Sequence, residues 1–131
     1  MDASCQCDSV KFRTPLSKPL DLYHCHCLEC RKQSASVYGT SAIFPKFTLP
    51  SDQPISCYTR KTDSGNTLDC YFCSVCGTRV MHSRRGGQTV SVKCGCIEGL
   101  DWASAKHIWC CRAVAAIREG VQRWEKEPDL E

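Results

Sequence analysis

Cysteine is the residue through which this sequence can do chemistry. Thirteen of its 131 residues are cysteine, and many fall in close pairs: Cys5-Gln6-Cys7, Cys25-His26-Cys27, Cys73-Ser74-Val75-Cys76 and Cys94-Gly95-Cys96. Such density means disulfides or bound metal. Three features favour metal. The stretch Met1-Asp2-Ala3-Ser4-Cys5 has no apolar run of the secretory-signal kind, so the thiols are expected to stay reduced in a cytoplasmic setting. The count is odd, and a fully paired framework would leave one thiol over. CxC and CxxC spacings are those of thiolate ligand pairs.

In an extended chain, side chains two residues apart face the same way, so Cys5 and Cys7 can offer two sulfurs to one ion. Two buried cysteines at a strand start would look the same. The run Cys73–Cys76 is followed by Gly77 and then by strand-like residues. A redox CxxC ordinarily opens a helix, whereas a metal knuckle turns back through a glycine with positive φ. The two pairs together make a four-sulfur set, Cys5, Cys7, Cys73 and Cys76. Such a set completes a tetrahedral zinc, leaves no room for substrate and ties the N-terminal stretch to a distant hairpin.

The segment Cys25-His26-Cys27-Leu28-Glu29-Cys30 differs. Strand periodicity puts Cys25 and Cys27 on one side, and a helical turn beginning near Cys27 puts Cys30 on its face. Three sulfurs then converge on a strand-to-helix corner, with Arg31 and Lys32 following to favour thiolate. Three protein ligands with a free fourth position is the plan of a catalytic zinc. The alternative is a second closed site, its fourth ligand drawn from His24, His26 or another cysteine. Both histidines alternate with the cysteines and are expected to face away. Iron suits the same sulfur sets as zinc.

Of the other cysteines, Cys94 and Cys96 form a candidate third ligand pair without a recognisable partner. Cys57, Cys70, Cys110 and Cys111 are expected to be ordinary buried thiols. His107 reads as a structural histidine before a general acid or substrate contact. Arg84–Gly87 reads as a solvated hairpin tip.

The elements that must hold these residues are short strands punctuated by Pro, Gly, Ser and Asp. The pattern predicts strands over Ser9–Arg13, Leu20–Cys25, Val37–Phe44, Pro54–Arg60, Thr67–Phe72, Thr78–Ser83, Gln88–Cys94 and Lys106–Arg112. Val90, Val92 and Cys94 alternate with Thr89, Ser91 and Lys93, which predicts one buried face and one wet face. Short helices are expected over Leu28–Ser36 and Val114–Glu119. The length fits one domain over 1–122, with a loose, charged tail over 123–131; whether its closing Leu130-Glu131 is native or vector-derived is left open. No apolar run approaches a membrane span. Seventeen Lys and Arg against 14 Asp and Glu leave a formal +3, too mild a balance to argue for nucleic acid or an anionic membrane. Oligomeric state is not legible.

Taken in order, Cys5-x-Cys7 with Val10-Lys11-Phe12, Cys25-His26-Cys27-x-x-Cys30-Arg31-Lys32, Phe72-Cys73-x-x-Cys76-Gly77-Thr78 and His107-Ile108 resemble the glutathione-dependent formaldehyde-activating enzyme family, whose domain also occurs in centromere protein V. The resemblance runs from Cys5 to about Arg112. It implies a mostly β, Mss4-like fold of short antiparallel strands with zinc knuckles, and two zincs per chain. Cys5, Cys7, Cys73 and Cys76 would take the structural zinc. Cys25, Cys27 and Cys30 would take a second, catalytic zinc that accepts a thiol such as glutathione's. The activity implied is that of a carbon–sulfur lyase handling a thiol adduct of a small aldehyde. The alternatives are a zinc lyase or hydrolase acting on another metabolite, a non-catalytic zinc module like the centromeric relative, or a metal or thiol buffer. The chain departs from the family at Asp8-Ser9, where glycine is usual, in the stretch after Ile108, where a Pro-Trp pair is common, and at Cys94-Gly95-Cys96.

Overall fold

The computed structural model describes residues 1–128; Leu130-Glu131 lies outside the described residues. A two-stranded hairpin of β1 (Asp2–Ser4) and β2 (Lys11–Arg13) stands beside a seven-stranded sheet. The sheet holds β3 (Asp21–Cys25), β4 (Gly39–Pro45), β5 (Ile55–Lys61), β6 (Thr67–Cys73), β7 (Arg79–Arg84), β8 (Thr89–Val92) and β9 (Lys106–Ile108), in the order β5-β6-β7-β8-β4-β3-β9. Every neighbouring pair is antiparallel except β3 with β9. One short helix, α1 (Leu28–Ser34), follows β3. The mostly β architecture is the expected one.

Cross-strand register gives the sheet two unlike faces. Leu22, Ala42, Val92 and Met81 are successive partners, all nearly inaccessible to solvent, and their face packs on Ala3 and Val10 of the N-terminal segment. Ile43, Ser91, His82, Cys70 and Tyr58 are successive partners one residue out of phase, so they point to the opposite face.

That second face is not simply wet, because α1 covers part of it. Gly39 pairs with Cys25 at the end of β4, and a Cβ on Gly39 would stand 2.9 Å from Cys30 Cβ and 2.9 Å from Gln33 Nε2. Only glycine allows the helix so close. Lys93, expected in water, is therefore buried at 7% exposure. The alternation that predicted its face holds; the helix above it removes the solvent.

Some expected boundaries shift. The predicted strand Lys106–Arg112 stops at Ile108, because Trp109 takes a left-handed conformation (φ 57°) that no strand continues. A 3-10 turn over Cys110–Arg112 follows. Val114–Glu119 is irregular rather than helical; six residues without a packed face do not repay helix nucleation. Gln88–Cys94 ends as a strand at Val92, and Cys94–Cys96 forms a 3-10 turn.

The tail is not loose where it is described. Trp124 N–H donates to the His107 carbonyl at 2.9 Å, and the amides of His107, Trp109, Cys110 and Cys111 donate to carbonyls of Gln122, Lys126, Trp124 and Glu125. Trp109 Nε1 reaches Glu127 Oε1 at 2.8 Å. The segment occupies the open edge of β9, which would otherwise present unpaired amides. Deleting residues 122–131 is therefore expected to lower stability by about 2 kcal/mol or more, since five backbone hydrogen bonds at about 1 kcal/mol each are lost and the entropy cost of ordering the segment offsets part of that sum, read as a shift of the urea midpoint. An unchanged midpoint would mean the docking contributes nothing.

Candidate metal centres

The structure brings the predicted sulfurs together as two clusters. Cys5, Cys7, Cys73 and Cys76 present Sγ atoms that all lie within 4.8 Å of one another. Cys5 to Cys7 is 3.7 Å and Cys7 to Cys73 is 3.8 Å. These are the edges, roughly 3.8 Å, of a tetrahedron of sulfurs set about 2.3 Å from a central ion. No disulfide forms; all thirteen cysteines are free thiols. Backbone amides point at the sulfurs, from Val10 to Cys5 at 3.3 Å and from Val75 and Cys76 to Cys73 at 3.4 and 3.5 Å. Burial pushes the Cys5 thiol up, and the Val10 amide opposes that shift. Hydroxyl and amide contacts from Thr78 pull Cys76 down to about 5. Gly77 closes the knuckle at φ 80°, the geometry expected of it. Asp8, standing where the resemblance led us to expect glycine, is held at φ 64°, a conformation Asp tolerates better than most residues.

Cys25, Cys27 and Cys30 form the second cluster, also with every Sγ within 4.8 Å. Cys25 ends β3, Cys27 caps α1 with extended backbone, and its Sγ accepts the Cys30 amide at 3.3 Å. Ala35, in a left-handed conformation, stops the helix by donating to the Arg31 and Lys32 carbonyls. The thiols of Cys25 and Cys30 donate to Cys27 and lower it to about 2, while Cys25 is pushed up because its proton is shared with these neighbours.

No fourth His, Cys, Asp or Glu atom joins these three sulfurs among the described residues. His24 and His26 face away, as the alternation predicted. His24 lies 4.9 Å from the His107 ring, and His26 Nε2 meets His107 Nδ1 at 2.8 Å, with Tyr38 beside them. His107 is further tied through its backbone to the tail.

The remaining cysteines divide. Cys94 and Cys96 are buried but join no cluster; the Cys96 thiol donates to the Arg79 carbonyl at 3.5 Å. Cys70 is fully buried as expected, whereas Cys57 and Cys111 are exposed and Cys110 is half-buried. Cys57 sits on the edge strand β5, where nothing covers it. At the hairpin tip Arg85 pairs with Asp69 at 2.9 Å, and Arg84 is exposed.

Sequence reasoning missed the groups around the second cluster. Lys93 is sealed beneath α1; burial pushes its ammonium down in pKa, and the Cys30 and Cys25 sulfurs oppose that shift. Its nearest hydrogen-bond partner is Ser41 Oγ at 3.5 Å. His82 is buried nearby and lowered to about 2, chiefly by burial and then by Lys93, Arg79 and Arg60. The one sequence signal was a lysine in phase with Thr89 and Ser91, and it read as solvent.

Residues 1–112 match the family described as glutathione-dependent formaldehyde-activating enzyme. The chain belongs to that family. A crystal structure of a Rhodobacter sphaeroides protein is similar in fold, with a TM-score of 0.59 and 22% identity over 79% of this chain and 93% of the other. No curated protein matches the sequence. All three cysteine motifs of the glutathione-dependent formaldehyde-activating enzyme resemblance fall inside the matched residues. No helix among the described residues is long and apolar enough to cross a membrane.

Two outcomes follow. Gly39→Ala is expected to lift α1 and weaken metal binding at Cys25, Cys27 and Cys30 by about tenfold or more, leaving the four-sulfur cluster intact; competition with a chromophoric chelator reads each step. The second concerns pH. The unfolded chain protonates His82 near pH 6.5, but the folded chain does not, so stability is full above that pH and falls below it. The slope approaches ~1.4 kcal/mol per pH unit, or about 2 kcal/mol by pH 5. His82→Gln should flatten the decline by that amount in denaturant titrations at pH 7.5 and pH 5; parallel profiles for both proteins would refute it.

Proposed function

We propose that this protein is a zinc-dependent enzyme of the carbon–sulfur lyase type that joins and releases a glutathione-like thiol and a small aldehyde. The observation that carries this reading is the inequality of its sulfur clusters, four in one and three in the other. Cys5, Cys7, Cys73 and Cys76 would enclose a structural zinc, fastening the β1–β2 hairpin to the end of the β6–β7 hairpin. Cys25, Cys27 and Cys30 would hold a second zinc with one position left for the substrate sulfur. A zinc held there supplies Lewis acidity that keeps a thiol deprotonated near neutral pH.

The reaction balances without redox. The thiol first gives its proton to water; the thiolate sulfur then bonds to the carbonyl carbon, the C=O π pair moves to oxygen, and that oxygen takes a proton back from water, while the reverse restores thiol and aldehyde. The chain contributes position and charge. Gly39 lets α1 press the three sulfurs against the sheet, and Cys27 fixes the helix start. Three thiolates around a divalent ion leave one negative charge, and Lys93 supplies a buried positive charge beside them. Fixed, partly desolvated charges need little rearrangement when a substrate thiolate arrives. Reduced thiols in these numbers suit a cytoplasmic setting.

The zinc content of reduced protein is expected to be two per chain and to fall to about one in Cys27→Ser with the fold retained, whereas Cys73→Ser should lose both metal and fold. In cobalt-substituted protein, glutathione should add a sulfur-to-metal charge-transfer band that Cys27→Ser abolishes. Unfolding of both variants, or a cobalt spectrum indifferent to thiol, would remove the basis for an enzyme.

A further inference from the structure

The residue between Cys25 and Cys27 is held from several directions. His26 is fully buried, at 0% exposure. Its amide donates to the Ile108 carbonyl at 3.0 Å. Its ring lies 5.1 Å from the Tyr38 ring and 5.1 Å from the His107 ring, tilted only 26° from the latter. Its Nε2 meets His107 Nδ1 at 2.8 Å. Tyr38 immediately precedes Gly39, the β4 partner of Cys25. The amide and the ring of His26 are thus both fastened to β9.

The direction of the bond between the rings follows from their surroundings. His26 Nδ1 is buried and has no partner among the described residues, and none of the ion pairs among them includes His26. A neutral imidazole carries one N–H. On Nδ1 that donor would be stranded, so it sits on Nε2 and His26 donates to His107 Nδ1. His107 is therefore an acceptor that a buried donor requires. Without it the His26 ring must turn or shift to find another. Any such shift pulls on Cys25 and Cys27, its covalent neighbours.

His107 is placed in turn by the C-terminal segment. Its amide donates to the Gln122 carbonyl at 3.0 Å, and its carbonyl accepts from the Trp124 amide at 2.9 Å, a parallel bridge opposite Arg123. The Trp124 ring meets Tyr23 of β3 edge-on, with centroids 6.5 Å apart. Residues 122–124 thus line the outer edge of β9. They lie beyond the family match, which ends at residue 112, so this support is supplied by a part of the chain that the match does not cover.

We propose that His107 is a positioning residue for the three-sulfur metal site, and that residues 122–124 belong to that site's support. The docked segment fixes β9, His107 accepts from His26, and His26 sets the placement of Cys25 and Cys27. This rests on the second metal of the function proposed above and adds what tunes its affinity. Release of the segment would loosen the second metal and leave the first in place.

Zinc-loaded, full-length protein tests this by competition with a chromophoric chelator. Wild type is expected to give up two zincs in separate steps, the easier one absent in Cys27→Ser. His107→Leu keeps about the volume of the ring and cannot accept a hydrogen bond. It should weaken zinc in the easier step about 10-fold or more, as loss of an outer hydrogen-bond partner does at metal sites, with the harder step unchanged. His107→Asn is smaller and packs worse, yet it returns an acceptor oxygen, and it should restore most of that affinity. A packing role alone predicts the opposite order, leucine above asparagine. Trp124→Pro removes the amide that the His107 carbonyl accepts while leaving both imidazoles; it should weaken the same step and spare the other, and it decides the matter should the His107 variants fold poorly. The packing order, or an easier step untouched in both His107→Leu and Trp124→Pro, overturns the positioning role and leaves the enzymatic reading standing. Release of a single zinc from wild type overturns both.

Discussion

Convergence of thiols from distant parts of the chain is the constraint on which this structure depends. Cys7 and Cys73 are 66 residues apart in sequence and their sulfurs stand 3.8 Å apart. A domain of this size, built from strands of three to seven residues, has a thin apolar core and must offset the loop entropy of bringing such strands together. Four sulfurs at the corners of a tetrahedron could share one ion, and the free energy of that sharing would add directly to folding.

The sheet then separates two tasks by the alternation of its side chains. One face buries Leu22, Ala42, Val92 and Met81 against the N-terminal segment. The other gathers Cys25, Lys93, His82 and the arginines under and beside α1. The period of two in a strand makes most of this separation, and Arg79 joins His82 where the β6–β7 register shifts between Tyr71 and Phe72. Polar groups are thus concentrated where a substrate could meet them without interrupting the core.

Burial beneath the helix changes what those polar groups are. A lysine and a histidine that would be unremarkable in water become, respectively, an amine whose pKa burial lowers beside three sulfurs and an imidazole that accepts a hydrogen bond from a guanidinium. Desolvation gives each a defined role, since a buried group keeps one protonation state and one set of partners. The small size of Gly39 is what permits the helix to impose this.

The sequence alone determined the cysteine pairs that converge, the mostly β class, most strand positions and the aim of His24 and His26 away from the sulfurs. All of these are local: CxC and CxxC fix sulfur convergence within one turn or strand, and alternation fixes the face. Tertiary structure decided which face was wet, because α1 covers Lys93 from a position more than 50 residues earlier in the chain. It decided that the tail docks on β9, since an edge strand's unpaired amides are visible only once the sheet order is known. It also decided that Tyr58, Arg79 and His82 meet beside Cys30. That meeting depends on strand register and on a helix laid across it, and no spacing within a single segment encodes either.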